Sequence, residues 1–200
     1  TRDAAAVAAA DAAVDVGGEY DAGRHRYDHH QRGFDQVLGC GFGTKLSSAG
    51  LVYRHHGRAL LARLAPALAD ADAEALYRQL YARFVEAVDA VDNGVDQYPG
   101  AGPARYRCTT DLSSRVAALN PAWNDPNPRP DERFQEAMQL AGGEFLEALR
   151  GLQEQWLPAR GIVRAALEAR REVDDSGEVV LLPQACPWKG HLFQLEQEMA

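Results

Sequence analysis

Asp28-His29-His30 places a carboxylate and two imidazoles in consecutive positions. Such a tripeptide can hold a cation, though a surface cluster at a strand end would look the same. Asp15 strengthens the first reading. It stands in the apolar run 12–16 (AAVDV), directly before Gly17 and Gly18. A carboxylate there is costly to bury without a partner, and the C-terminal ends of strands are where open α/β sheets place ligands. Neighbouring strands ending in Asp15 and in Asp28-His29-His30 would bring oxygen and imidazole ligands together. That mixture suits manganese, magnesium or zinc better than a thiolate metal.

A third acidic group lies further along. On a helix, Asp89, Asp92 and Asp96 fall within about 60° of one another. Helical phase puts Asp92 nearest the apolar face and turns Asp89 further toward solvent. The stripe is either a solvated helix edge or, with Asp92 as ligand, part of a metal centre. Ser47 and Ser48 can cap a helix beginning near residue 48, and a helix N-terminus beside Lys45 favours a phosphate. His55-His56 reads as a dipole partner near that helix's C-terminal end, with Gly57 as its stop. His25 and His191 read as isolated, ordinary histidines. GCGFG (39–43) has neither dinucleotide-binding nor P-loop spacing, and no serine sits in a GxSxG elbow.

The elements that must position these residues follow from pattern. Strands are expected at 12–16 and 24–30, with a glycine-rich mobile loop at 35–45. Helices are expected from 48 to Gly57, over 58–69, and from about Glu74 to Gly94, the last on the stripe Leu76, Leu80, Phe84, Val88 and Val91. The proline-rich stretch 98–130 reads as a connection between subdomains. A strong amphipathic helix is expected over 131–156 (Phe134, Met138, Ala141, Phe145, Ala148, Leu152, Trp156). Another opens at Pro158, VVLL (179–182) reads as a strand, and a last helix runs from Trp188 to Met199. This order gives an α/β fold followed by a mostly helical part.

The 200 residues are 46% hydrophobic and 25% charged, with net charge −8. A chain this acidic is a poor candidate for gripping nucleic acid by a broad basic surface. A metallonuclease remains compatible, because clustered carboxylates hold cations that meet the phosphate. No apolar run reaches the ~18–20 residues of a membrane span. Cys40, Cys108 and Cys186 are odd in number and far apart, which suits a reducing compartment and a cytoplasmic protein.

Read together, VDVGGEYDAGRHRYDHHQRGF (14–34), TKLSSAGLVYRHHG (44–57) and VDAVDNGV (88–95) resemble the melanocyte-proliferating-gene exonuclease family of DHH phosphoesterases. Further similarity lies in LSSRVAALNPAWN (112–124), FQEAMQLAGGEFLEAL (134–149), WLPARGIV (156–163) and PWKGHLFQLE (187–196). The resemblance implies a DHH-type parallel sheet flanked by helices. It places the DHH core in 1–98, a connection in 99–130 and a helical second subdomain in 131–200. It implies a two-metal site for Mn2+ or Mg2+ that hydrolyses phosphodiesters, acting on RNA from the 3′ end. Asp15 would bridge the metals and His29 would ligate one. Asp28 would be a ligand or would orient that histidine, and His30 would contact the scissile phosphate. Asp92, or failing that Asp89, would be the fourth-motif ligand. Arg32 and Lys45 would add positive charge there, and Ser47, Ser48 and Arg115 would face substrate phosphate. Family members open with a His-x-Gly-x-Phe-His-x-Asp-Glu motif that these 200 residues do not contain, so the chain is expected to be an internal piece. Two other readings stand beside this one: a hydrolase of small phosphates or short oligonucleotides, and a catalytically incomplete metal-binding fragment. Both monomer and oligomer are compatible with the sequence.

Overall fold

The computed structural model describes residues 3–98 and 109–199; the part of the proline-rich connection at 99–108, with Cys108, lies outside them. The chain forms two compact units, Thr1–Ala148 and Leu149–Ala200. The division falls within the long amphipathic helix, whereas the sequence reading sets the second subdomain to begin at 131.

The first unit is α/β. Asp3 caps a short helix α1 (Ala4–Ala9) by accepting from Ala5 N at 2.9 Å. Strands β1 (Ala13–Val14), β2 (Tyr20–Asp21) and β3 (Arg26–Tyr27) form a three-stranded sheet in the order β1-β3-β2. β1 and β3 are parallel and β2 is antiparallel to β3. The strands are shorter than expected because glycine-rich backbone closes in on them. Gly17 and Gly18 have positive φ, and a 3-10 turn over Ala22–Arg24 interrupts the second segment. The 35–45 stretch is a hairpin, not a mobile loop: β4 (Val37–Gly39) pairs antiparallel with β5 (Phe42–Lys45). Its glycines serve the turn, where Gly39, Cys40 and Gly41 all have positive φ.

Helix α2 (Ser48–Leu64) is capped by Ser47 and runs well past Gly57. His55 and His56 are therefore mid-helix, and the dipole reading fails. Gly57 is required by packing: a Cβ there would lie 2.9 Å from Tyr77 Cε2. Tyr53 and Tyr77 stack nearby with centroids 4.8 Å apart. Instead of one helix over 74–94, there are α3 (Asp70–Leu80), a π turn (Tyr81–Val85) and α4 (Glu86–Asp92). A π turn inserts one extra residue, so each later side chain takes the face of its predecessor. Asp89 thereby occupies the inward face that periodicity assigned to Val88, and Val91 is left 56% exposed. A short α5 (Leu112–Ala117) and α6 (Pro130–Gly151) follow. Phe145 packs edge-on to Tyr53 and Phe84, while Phe134 and Met138 of the same stripe are exposed.

The second unit continues through a π turn (Leu152–Trp156) into α7 (Leu157–Glu168), then α8 (Arg170–Val173) and α9 (Lys189–Met199). Val163, Leu167 and Leu195 form its core. Residues 179–182 are not a strand. Val180 and Leu182 pack against the core and Val179 and Leu181 face outward. The alternation is real, but among the described residues the segment pairs with no other strand.

Candidate metal centre

The parallel register fixes the first pair of site residues. Val14 stands opposite Tyr27, and Asp15 N donates to Tyr27 O at 3.1 Å. The next residues along, Asp15 and Asp28, therefore emerge side by side at the strand ends. Asp15 adopts a left-handed backbone (φ 63), which is unfavourable for a residue with a Cβ. One ligand atom each from Asp15, Asp28, His29 and His30 fit within 4.8 Å of one another. The His29 and His30 rings lie 4.2 Å apart.

Helix α2 supplies the support. Buried Ser48, its first residue, donates its hydroxyl to Asp15 Oδ1 at 3.0 Å and stands 3.0 Å from His29 Nδ1. The serine has a single proton. With that proton on Asp15, His29 Nδ1–H donates to Ser48 Oγ, so Nε2 is the ring atom left for a further partner. That Nε2 faces Asp92 Oδ2 at 3.2 Å. A lone pair and a carboxylate oxygen so close repel unless a proton or a metal ion sits between them. Asp92 is delivered by the end of α4, where Asn93 caps the helix and Gly94 (φ 65) turns the chain away. The Asn93 amide fixes that corner by donating to Lys45 O at 3.0 Å and Asp89 O at 2.9 Å.

Asp28 is the most heavily hydrogen-bonded member of this set. Gly18 N donates to its Oδ2 at 2.7 Å, and His30 N and Nδ1 lie 3.1 and 2.7 Å from its Oδ1. Burial pushes the Asp28 carboxyl up, but the Gly18 amide and His30 more than offset this and hold it below its usual range. In return, the bond to Asp28 raises the pKa of the exposed His30 imidazole. A cavity of about 560 Å³ opens beside Asp15, Asp28 and His30, with Arg24, Arg26 and Val7 on its other walls.

Asp89 and Ser47 occupy a separate position. Asp89 is fully buried, opposite to its expected orientation, for the π-turn reason given above. Its Oδ1 accepts from Ser47 N at 2.9 Å and Ser47 Oγ at 2.7 Å, and its Oδ2 accepts from Tyr81 OH at 2.8 Å. Burial raises its pKa, and those donors offset only part of the rise. A Cβ on Gly50 would fall on this carboxylate, so the helix can receive Asp89 only where glycine stands. The N-terminus expected to bind phosphate thus already holds an anion, the protein's own.

The remaining expected residues are dispersed. Lys45 Nζ sits 5.5 Å from the Phe34 ring, and that ring is 6.4 Å from His29. Arg32 is exposed in the turn after His30. Arg115 is paired with Glu144 at 2.5 Å. Gly50 and Tyr81 carry no signal in the sequence, and Gly18 is marked there only as part of the glycine pair after Asp15. Gly18 acts through its backbone, and Tyr81 and Gly50 become partners of Asp89 only through tertiary packing.

The carboxylate and imidazole set is accompanied by similarity along the whole chain. The model of an uncharacterised protein family (UPF0160, MYG1_exonuc) matches residues 1–200. The MYG1 exonuclease of Mus musculus is 50% identical over 207 residues, covering 100% of this chain and 54% of the mouse protein. That of Bos taurus is 52% identical over 203 residues, covering 98% and 53%. The MYG1 protein of Dictyostelium discoideum is 41% identical over 200 residues, covering 99% and 60%. No solved structure matches. The chain spans about half the length of the mouse and bovine relatives, and it carries the Asp15, Asp28-His29-His30 and Asp92 centre as a member of the MYG1 exonuclease family.

Proposed function

We propose that the whole protein is a metal-dependent phosphodiester hydrolase of the DHH type, a 3′-to-5′ exonuclease of RNA. The single observation that carries the metal is His29 Nε2 held 3.2 Å from Asp92 Oδ2, beside the exposed Asp15 carboxylate. The donor set fits Mn2+ or Mg2+: carboxylate oxygens dominate, and an imidazole is added. Asp15, His29 and Asp92 would hold the metal, with Asp28 and His30 beside them. The parallel β1–β3 pair would belong to a DHH-type sheet, and 1–98 to the DHH core. A bound divalent cation supplies Lewis acidity, lowering the pKa of water and neutralising phosphate charge.

The chain's own residues do the rest. Ser48 fixes the tautomer of His29 and locks Asp15. Asp28 raises the pKa of His30 and holds its ring beside the open cavity, where the protonated form can donate to a phosphate oxygen as charge develops. Lys45 and Arg32 add positive charge from further out. The name exonuclease on the mouse and bovine relatives supports a nucleic acid substrate. The odd, widely spaced cysteines of the sequence are the ground for placing it in a reducing, cytoplasmic setting.

The test uses the complete protein with Mn2+ and short RNA labelled at either end. Release of mononucleotides from the 3′ end supports the proposal. Turnover of pyrophosphate or dinucleotides alone would make it a small-phosphate hydrolase instead. Mn2+ calorimetry on this chain and on His29→Ala separates binding from catalysis. Mn2+ binding without turnover would identify a metal-binding fragment.

A further inference from the structure

His25, which the sequence left isolated, belongs to a second imidazole cluster. The Tyr27 hydroxyl stands 3.0 Å from His25 Nδ1 and 2.8 Å from His56 Nε2. The two imidazole rings have centroids 5.8 Å apart. His25 follows the 3-10 turn Ala22–Arg24 with φ 53 and ψ 45, a left-handed conformation that L residues seldom adopt. His25 and His56 are exposed while Tyr27 is buried, so two imidazoles converge on one inner oxygen from the solvent side.

We propose that His25, His56 and Tyr27 form a second cation site, for a borderline first-row divalent ion such as Zn2+ or Cu2+. The argument is geometric and chemical. Ligands at ~2.0–2.1 Å on a tetrahedral metal stand about 3.3 Å apart. The two measured separations lie a few tenths of an ångström below that, so the rings need only open slightly. The imidazole nitrogens are the ligands, the Tyr27 oxygen is third in the set, and water completes the shell. The set contains no carboxylate, so hard Mg2+ and Mn2+ are poorly retained, whereas imidazole suits zinc and copper. The site is distinct from the carboxylate centre. Tyr27 and His29 both face α2, but His56, the partner of Tyr27, lies about 12 Å along that helix from Ser48, the partner of His29, at 1.5 Å per residue.

Zn2+ titration calorimetry on the whole chain tests this, with wild type, His29→Ala and the double variant His25→Asn/His56→Gln. Asparagine tolerates the left-handed backbone at 25, and glutamine can still bond the Tyr27 hydroxyl. The double variant is expected to lose one class of Zn2+ site, with affinity there reduced at least tenfold, and to keep its Mn2+ affinity. His29→Ala should keep the site that the double variant loses. Cu2+ bound to His29→Ala should show electron paramagnetic hyperfine splitting from two nitrogens, reduced to one by adding His56→Gln. Unchanged Zn2+ stoichiometry and affinity in a folded double variant would overturn the proposal. So would loss of the same site in His29→Ala. If the double variant is unfolded, the single His56→Gln gives the same two readings.

Discussion

Two adjacent serines at the start of α2 serve two carboxylate sites that are opposites. Ser47 turns inward to Asp89, whose oxygens take three donors from Ser47 and Tyr81 with no exposure to solvent. Ser48 turns outward to Asp15 and His29, where the Asp15 and Asp92 side chains are 59% and 50% exposed. On the closed side the protein satisfies its own anion. On the open side one hydroxyl and one imidazole serve two carboxylates, and His29 Nε2 faces Asp92 Oδ2 at 3.2 Å. Residue type and spacing do not separate the two sites, since both offer an aspartate near a serine-capped helix. The supply of donors does. A carboxylate already saturated by protein donors is structural, and one left short of them is where a cation gains most.

The largest effect expected from this contrast is on the closed side. Asp89→Ala strands the Ser47 amide, the Ser47 hydroxyl and the Tyr81 hydroxyl in a buried space. It should cost about 3 kcal/mol or more in urea unfolding. Next comes the open side. Asp15→Asn or His29→Ala should reduce Mn2+ affinity by about 100-fold or more and remove the Mn2+-dependent rise in melting temperature, with metal-free stability little changed for the exposed Asp15→Asn. The two outcomes should not cross. If folded Asp89→Asn loses Mn2+ binding as severely as Asp15→Asn, the closed site is a ligand site after all. Gly50→Ala should fall below both, at about 1–3 kcal/mol of destabilisation, as overpacking displaces the Asp89 carboxylate. An unchanged urea midpoint would mean that the helix N-terminus and Asp89 are not in contact.

Much of the open site was legible because its residues are local. Asp28-His29-His30 is contiguous, Asp15 precedes a glycine pair, and strand ends are where ligands gather, so the four residues that the structure brings within 4.8 Å follow from pattern and adjacency. Asp92 was legible for a less secure reason. Periodicity puts it near the apolar face of a straight helix, but it reaches the site from the end of α4, after a π turn that gives it the face periodicity assigns to Val91. The same turn inverted the reading of Asp89, because a one-residue insertion leaves no mark on periodicity. Ser47 was legible as a cap, but its partner is 42 residues away, and long-range pairing leaves no local signal. The 35–45 hairpin and residues 179–182 show the same limit from the other side. Glycine content alone cannot separate a turn from a loop, and alternation cannot make a strand without a neighbour to bond.

The smallest expected effect concerns the seam between orientation and ligation, the Asp28–His30 pair, in the chain stripped of metal by chelator. The Asp28 carboxyl is held below its ordinary 3.8, so its contribution to stability is present above that value and is lost as pH falls through the lowered one. The His30 imidazole is held above its ordinary 6.5, so its contribution is fully present below 6.5 and is lost as pH rises through the raised value. Both contributions coincide between about pH 4 and 6.5. His30 is largely exposed, and solvent screening limits the pair to less than about 1 kcal/mol. Urea midpoints of wild type and His30→Gln should therefore differ most within that window and converge above it. A difference that grows with pH would mean that His30 acts as a neutral acceptor. The proposed donation from His30 to a phosphate would then fail, while the roles proposed for Lys45 and Arg32 would stand.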